Sequence, residues 1–442
     1  MAKPPKKYDG LTKEQKKFLK KMLGIKKLED LDVAILKQLK EKLKALKDVR
    51  NKNMLIYKLW DVIMCVIIAS FANNNTWDDI HQFVKNNYKW FKSFLQMTGG
   101  IPCVDSYERI MALVDSDELN KILLDFFTYI IISNSIKTNM LNFDGRVNNG
   151  SKRKTTLLSD EKAPLNCLNV YSNKYGYCIK TVEIADKTNE IPTIEEVVTG
   201  MNLTSTISTW DALNTQKKNV KAVINAHGDY TVPVKSNHET FYNELVNYFD
   251  DKRCEEIIAG NLSSQYMTYN EKSHSALIKY ECFQTSDINW FQDKNEWSGL
   301  KTIGMVKKTV TTKVIEKKKD KNGKTKKTEK YITSVECRYY ISSRNVNIIE
   351  FNEVTRKHWN VENKIHFHLD FTFCQDANKT TNKNALLNLE IIHKFVLAIL
   401  ERVKPFYKRK SLTSIRKHLS NNFTEFFPEF LCYLALQNPT VF

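Results

Sequence analysis

Two hydrophobic runs of strand type each end in an aspartate: MLNFDG closes on Asp144 and STISTWDA on Asp211. Far downstream, TRKHWNVENKIHFHLDFTFCQD places His358, Glu362 and His366 at i, i+4 and i+8 of a helical wheel, while Val354, Val361, Ile365 and Leu369 fill a narrow apolar arc. A carboxylate held on a stiff helix, with an imidazole one turn to either side, can complete a metal site whose other ligands come from distant strands. The same spacing also describes an ordinary solvated helix face. The two strand-end aspartates favour the metal reading, because with Glu362 they supply an Asp, Asp, Glu triad of oxygen donors. Glu190 and Asp370 are spare acids that could replace a member of it.

The chain around these residues is 442 residues long and carries a formal net charge of +18, enough for two or three domains and indicative of a polyanionic partner. Nucleic acid is the first candidate, since Lys and Arg neutralise phosphates and release counterions. A membrane surface is the rival. The longest apolar run, Val62 to Ala72, falls short of the roughly 20 residues a bilayer requires and reads as a buried helix. MAKPPKKYDG has no apolar core of secretory type, and nine scattered cysteines without a C-x-x-C pair suit reduced thiols of a cytosol. Low Gly and Pro with abundant Lys, Asn and Ile suggest an AT-rich bacterial genome; the expected location is the bacterial cytoplasm, associated with the nucleoid.

Five segments organise the chain. Residues 1–46 form a Lys-rich extension of two short amphipathic helices, and residues 47–138 an all-helical block in which Thr76 caps WDDIHQF. At residue 139 the period changes to that of strands, and 139–240 is the first part of an α/β core. MLNFDG, LNCLNVYSN and YGYCIKTVEIA make a meander, then come a helix after Pro192, STISTWDA, the helix QKKNVKAVINAHG stopped by Gly228, and DYTVPVKSN. This β-β-β-α-β-α-β succession suits an RNase H-like domain, where the ends of the first and fourth strands lie side by side and Asp144 and Asp211 would converge. Residues 241–345 form a β-rich insertion whose basic tract EKKKDKNGKTKKTEK turns at Asn322-Gly323. Residues 346–442 return to the core with the Glu362 helix, the apolar LEIIHKFVLAIL and a basic tail. The loop RVNNGSKRK, with Arg146, Lys152, Arg153 and Lys154, faces phosphate if Asp144 sits in an active site. Lys235 and Asn237 either contact DNA or cap the following helix; His358 and His366 touch phosphate, orient Glu362 or line a polar helix face.

HWNVENKIHFHLDFTF followed by Asp376 resembles the C-terminal signature of bacterial insertion-sequence transposases of the DDE type, in the branch that includes the H-repeat-associated proteins. WDDIHQF, GIPCVDSYERIMALVD, FDG, DKTNEIPTI, WDALNTQK, GDYTVPVKSNHETF and RYYISS occur in the order of that family, over about residues 47 to 425. His358 stands where related branches carry Arg four residues before the Glu.

The resemblance implies an RNase H-like catalytic domain that nicks double-stranded DNA at the terminal inverted repeats and joins the freed 3′-hydroxyls to target DNA. Such chemistry uses two Mg2+ (or Mn2+) ions about 3.5 to 4 Å apart, with Asp144 bridging both and Asp211 and Glu362 each holding one. Joining two ends in concert implies a homodimer. Two other readings are a transposase-derived DNA-binding protein without catalysis and an RNase H-like nuclease.

Overall fold

The computed structural model describes residues 12–435 except 15, 18–19, 21–30, 52, 54, 131–138, 153–162, 186–189, 261–262, 274–275, 320–324 and 409. It is a mixed α/β structure with a helical N-terminal region. Among the described residues nine strands follow in chain order: β1 (Asn139–Asn148), β2 (Leu165–Ser172), β3 (Tyr177–Glu183), β4 (Thr206–Trp210), β5 (Asp229–Val234), β6 (Ser264–Ser273), β7 (Ala276–Thr285), β8 (Thr302–Lys319) and β9 (Thr325–Ser342). The chain divides into two compact units: Met1–Lys137, Gly145–Lys187 and Val361–Phe442 form the first, Thr138–Asp144 and Thr188–Asn360 the second.

The first unit is a helical body with the antiparallel pair β2–β3, in the register Cys167↔Glu183 to Ser172↔Tyr177. Its helix Leu59–Phe71 is apolar nearly all round and is therefore buried nearly all round; the one acid, Asp61, accepts the Met97 amide at 3.0 Å. Thr76 forms the capping box its sequence indicates, its hydroxyl on the Asp79 amide and the Asp79 carboxylate on the Thr76 amide. The helix Lys383–Val403 packs in the same core as Leu59–Phe71, and Val361, Ile365 and Leu369 join it. The extension before residue 31 lies mostly outside the described residues; the helix expected after it is found at Leu31–Leu43. No helix among the described residues is long and apolar enough to cross a membrane.

The second unit is a sheet in the order β1-β4-β5-β9-β8-β7-β6. β1, β4 and β5 run parallel, with Asn139↔Thr206 to Phe143↔Trp210 and Ile207↔Asp229 fixing the register. β5 to β9 and onward is antiparallel, and β8 and β9 are the long hairpin read from the β-branched alternation. Its Asn322-Gly323 turn, and the side chains of residues 316–328, lie outside the described residues. The β6–β7 pair has no counterpart in the sequence reading. The alternation Gln265, Met267, Tyr269 and Glu271 against Tyr266 and Thr268 was the available signal, but it is diluted by polar residues on both faces.

Three local expectations are corrected. β1 does not close at Asp144-Gly145 but runs on to Asn148, so Arg146 sits in a strand and not in a loop. The helix Lys217–Asn225 is stopped by His227, whose φ is 63°, and not by Gly228; Gly228 is required because a Cβ there would lie 2.6 Å from the Leu203 Cβ. The helix carrying Glu362 is not one continuous α-helix. Ile348–Lys357 is followed by a turn, a π-helical turn at Glu362–His366 and a short helix Phe367–Phe371. Its apolar arc divides accordingly, with Val354 against Met140 and Ile207 in the second unit and the other three members in the first.

The helix Ile348–Lys357 rests on β8 at Gly304, where a Cβ would stand 2.5 Å from Phe351 Cζ and 2.9 Å from the Phe283 carbonyl oxygen. Gly304→Ala is expected to destabilise the fold by about 1–3 kcal/mol through overpacking, read as a lower urea midpoint at unchanged slope.

Candidate active site

Asp144 and Asp211 come together in the second unit because of strand register. Phe143 and Trp210 are partners in the parallel pair and their rings meet at 6.0 Å in the buried layer, so the next residue on each strand projects to the opposite face. Asn142 and Thr209, two residues earlier, share that face by the same alternation. Each is used: the Asn142 side-chain amide donates to the Lys357 carbonyl and, at 2.7 Å, to that of His358, while the Thr209 hydroxyl lies 3.2 Å from His358 Nδ1. The carbonyls left open at the end of the helix Ile348–Lys357 are thus tied to β1. That contact delivers His358 Nε2 to Asp211 Oδ1 at 3.2 Å.

The electrostatics follow from this packing. His358 is buried, whereas the Asp211 side chain is 59% exposed. The hydrogen bond from His358 holds the Asp211 carboxyl below its ordinary value against the opposing effect of burial, and the charges of Lys235 and Arg338 act in the same direction. The Arg338 guanidinium sits over the Trp359 ring, 4.7 Å from its centroid. A cleft of about 220 Å³ opens between Lys235, Ser236 and Tyr242 on one side and Glu336 and Arg338 on the other. Asn237 donates to the Ala212 carbonyl at 2.9 Å and Asn214 to Glu190 at 2.7 Å, so Asn237 and the spare acid Glu190 both brace the turn that follows Asp211.

Glu362 belongs to the first unit, where its side chain is also 59% exposed and its Oε2 lies 3.1 Å from His366 Nδ1. His366 is buried, with Nε2 3.2 Å from the Asn169 side-chain amide. Behind it stands a cluster of buried charge. Lys394 Nζ is 2.7 Å from Glu390 Oε1, and Glu390 Oε2 is 3.2 Å from Arg146 Nη1. Burial alone would raise the Glu390 carboxyl, but Lys394 and Arg146 hold it below its ordinary value. Arg146 also pairs with Asp370 and, at 3.5 Å, with Asp376.

The expected phosphate-facing role of Arg146 is therefore corrected: its side chain is 5% exposed and committed to three carboxylates. The spare acid Asp370 is engaged in the same network. Lys152 and Lys235 are exposed, while Arg153 and Lys154 lie outside the described residues. His358 and His366, expected among DNA-contacting residues, are buried and turned toward Asp211 and Glu362. Asn142, Thr209, Asn169, Glu390 and Lys394 went unnoticed in the sequence. For the last two a signal existed, since an acid and a base four residues apart in the otherwise apolar LEIIHKFVLAIL call for burial as a pair.

With this geometry in place, comparison with known proteins gives a consistent result. A family profile described as "Transposase DDE domain" matches residues 150–399, more than half of the chain, and one described as "DDE_Tnp_1-associated" matches residues 40–127. Asp211 and Glu362 fall inside the first match and Asp144 just before its start. The chain is similar to the protein named "Putative transposase YncI" of Escherichia coli O157:H7, 25% identical over 81% of this chain and 85% of that one. It is likewise similar to the "H repeat-associated putative transposase YhhI" of Escherichia coli K12, 24% identical over 84% of this chain and 92% of the relative.

The depressed Glu390 carboxyl sets a pH dependence. A carboxyl lowered on folding contributes stability above its ordinary value of 4.5 and loses that contribution as pH falls through the lower folded value. The melting temperature of Glu390→Gln is accordingly expected to lie below that of the unaltered protein at neutral pH, with the gap narrowing on acidification below 4.5. Thermal melts across that range check it.

Proposed function

The chain belongs to the DDE transposase family, and on that premise we propose that it cleaves double-stranded DNA at the ends of an insertion sequence and joins the 3′-hydroxyl ends to target DNA. The observation that carries the reading is the parallel register of β1 and β4, which sets Asp144, within β1, and Asp211, just past the end of β4, on one face of neighbouring strands. The parallel order β1-β4-β5 also supports an RNase H-like core, assembled from residues 139–240 and 346–442 around the insertion 241–345.

Asp144, Asp211 and Glu362 would hold two Mg2+ (or Mn2+) ions. The donor chemistry fits: all three offer carboxylate oxygens, the ligands hard cations prefer, and Asp211 is kept ionised by its surroundings. When bound, the ions would activate the attacking oxygen and stabilise the leaving one. The protein's own groups position the reactants. His358 fixes the rotamer of Asp211, Asn237 braces the Ala212 carbonyl, and Lys235 and Arg338 present positive charge to a phosphate at the cleft. Lys152 adds exposed charge for the DNA backbone, as would Arg153 and Lys154. Two ends joined in concert require two active sites, which a homodimer working in the bacterial cytoplasm on nucleoid DNA would supply.

Asp144→Asn, Asp211→Asn and Glu362→Gln are each expected to abolish Mg2+-dependent cleavage of DNA bearing the cognate terminal repeats, with DNA affinity retained. Cleavage followed by strand joining in the unaltered protein marks a transposase; cleavage alone indicates a nuclease, and binding alone a silent DNA-binding protein. Cleavage retained in any one variant shows that its acid has been assigned a role it does not have.

A further inference from the structure

We propose that Lys394 and Asn169 are positioning residues, which act through the tautomer of His366 to aim the Glu362 carboxylate. This rests on the role given to Glu362 above. The order of the hydrogen bonds follows from donor and acceptor chemistry alone. Lys394, 1% exposed, has only donors to offer; its Nζ lies 2.5 Å from one side-chain terminus of Asn169 and 3.0 Å from the Thr181 hydroxyl. The Asn169 atom facing it must be the carbonyl Oδ1, which also accepts from Thr181 Oγ1 at 3.3 Å. The Asn169 Nδ2 amide is thereby turned to His366 Nε2, 3.2 Å away. An amide nitrogen donates and does not accept, so His366 Nε2 must be the bare, accepting nitrogen. The ring proton is then on Nδ1, which faces Glu362 Oε2 at 3.1 Å. One buried ammonium thus dictates which nitrogen of a distant imidazole donates to Glu362.

The arrangement needs Lys394 charged inside an apolar helix, and the surrounding groups allow that. Glu390 balances it at 2.7 Å and is itself paired with Arg146. All the participants sit on packed elements: Asn169 on β2, Thr181 on β3, and Glu390 and Lys394 on Lys383–Val403. With one Glu362 oxygen held by His366, the carboxylate is oriented for the ligand role assigned above. Without Lys394 the Asn169 amide can reverse, its Nδ2 donating to the Thr181 hydroxyl and its Oδ1 facing His366. The ring proton would then move to Nε2, and a bare Nδ1 would repel the Glu362 carboxylate.

Nitrogen-15 NMR of histidine-labelled full-length protein tests this without reference to activity. The expected result for the unaltered chain is a neutral His366 protonated on Nδ1. In Lys394→Met the proton is expected to shift toward Nε2, with DNA cleavage reduced roughly 10- to 100-fold and DNA affinity unchanged. An Nε2-protonated His366 in the unaltered protein overturns the proposal even if the variant fails to fold. A folded Lys394→Met protein that keeps the Nδ1 proton, or cleaves at the full rate, overturns it as well. An Nδ1 proton in the unaltered protein together with an active Glu362→Gln variant would overturn the role of Glu362 and leave the order of the hydrogen bonds standing.

Discussion

The parallel pairing of β1 with β4 sets Asp144, inside β1, next to Asp211, just past the end of β4. The register holds because Phe143 and Trp210 are locked in the apolar layer on the other face, and a slip of one residue would exchange that layer for the acids. A hydrogen bond and positive charge hold the Asp211 carboxyl ionised against burial: His358 on Asp211, with Lys235 and Arg338 acting in the same direction. The resulting site keeps negative charge at a fixed place and positive charge around its rim. A divalent ion and a phosphate diester need those two features together.

A second constraint sits within the first unit. Glu390, Lys394 and Arg146 are removed from water, and the desolvation of such ions costs several kcal/mol each before pairing. Buried ion pairs of this kind add little net stability, since a well-packed apolar substitute often does as well. Their geometric value is greater. A lysine with donors only and an amide with one donor end and one acceptor end transmit direction through the protein, and His366 is where that direction reaches Glu362.

Much of the fold was legible because the sequence changes period where the structure changes class. The helical block, the shift to strands at residue 139 and the β8–β9 hairpin were all marked by apolar spacing. The two aspartates were legible as the polar ends of apolar runs. Arg146 was misread because RVNNGSKRK looks like a basic loop locally, while the carboxylate that buries its charge lies 244 residues away. Asn142 and Thr209 were passed over because one polar residue inside an apolar strand carries no local sign of the helix end or imidazole it will meet. The π-helical turn at Glu362–His366 was invisible for a similar reason: the α-helical wheel was satisfied by Val361, Ile365 and Leu369, and the inserted turn is settled by tertiary packing. His227 took the left-handed conformation expected of Gly228 because the glycine was needed one residue later, against Leu203.

In the proposed transposase reaction Asp144, Asp211 and Glu362 would jointly hold two divalent ions. Mn2+ binding to the full-length protein, followed by electron paramagnetic resonance in the presence of DNA carrying a terminal repeat, tests it most directly. The expected result is two spin-coupled ions per chain, with at least one lost in Asp144→Asn, because that carboxylate is one of the three proposed to hold them. A coupled pair that survives Asp144→Asn, or a single ion in the unaltered protein, would contradict the account.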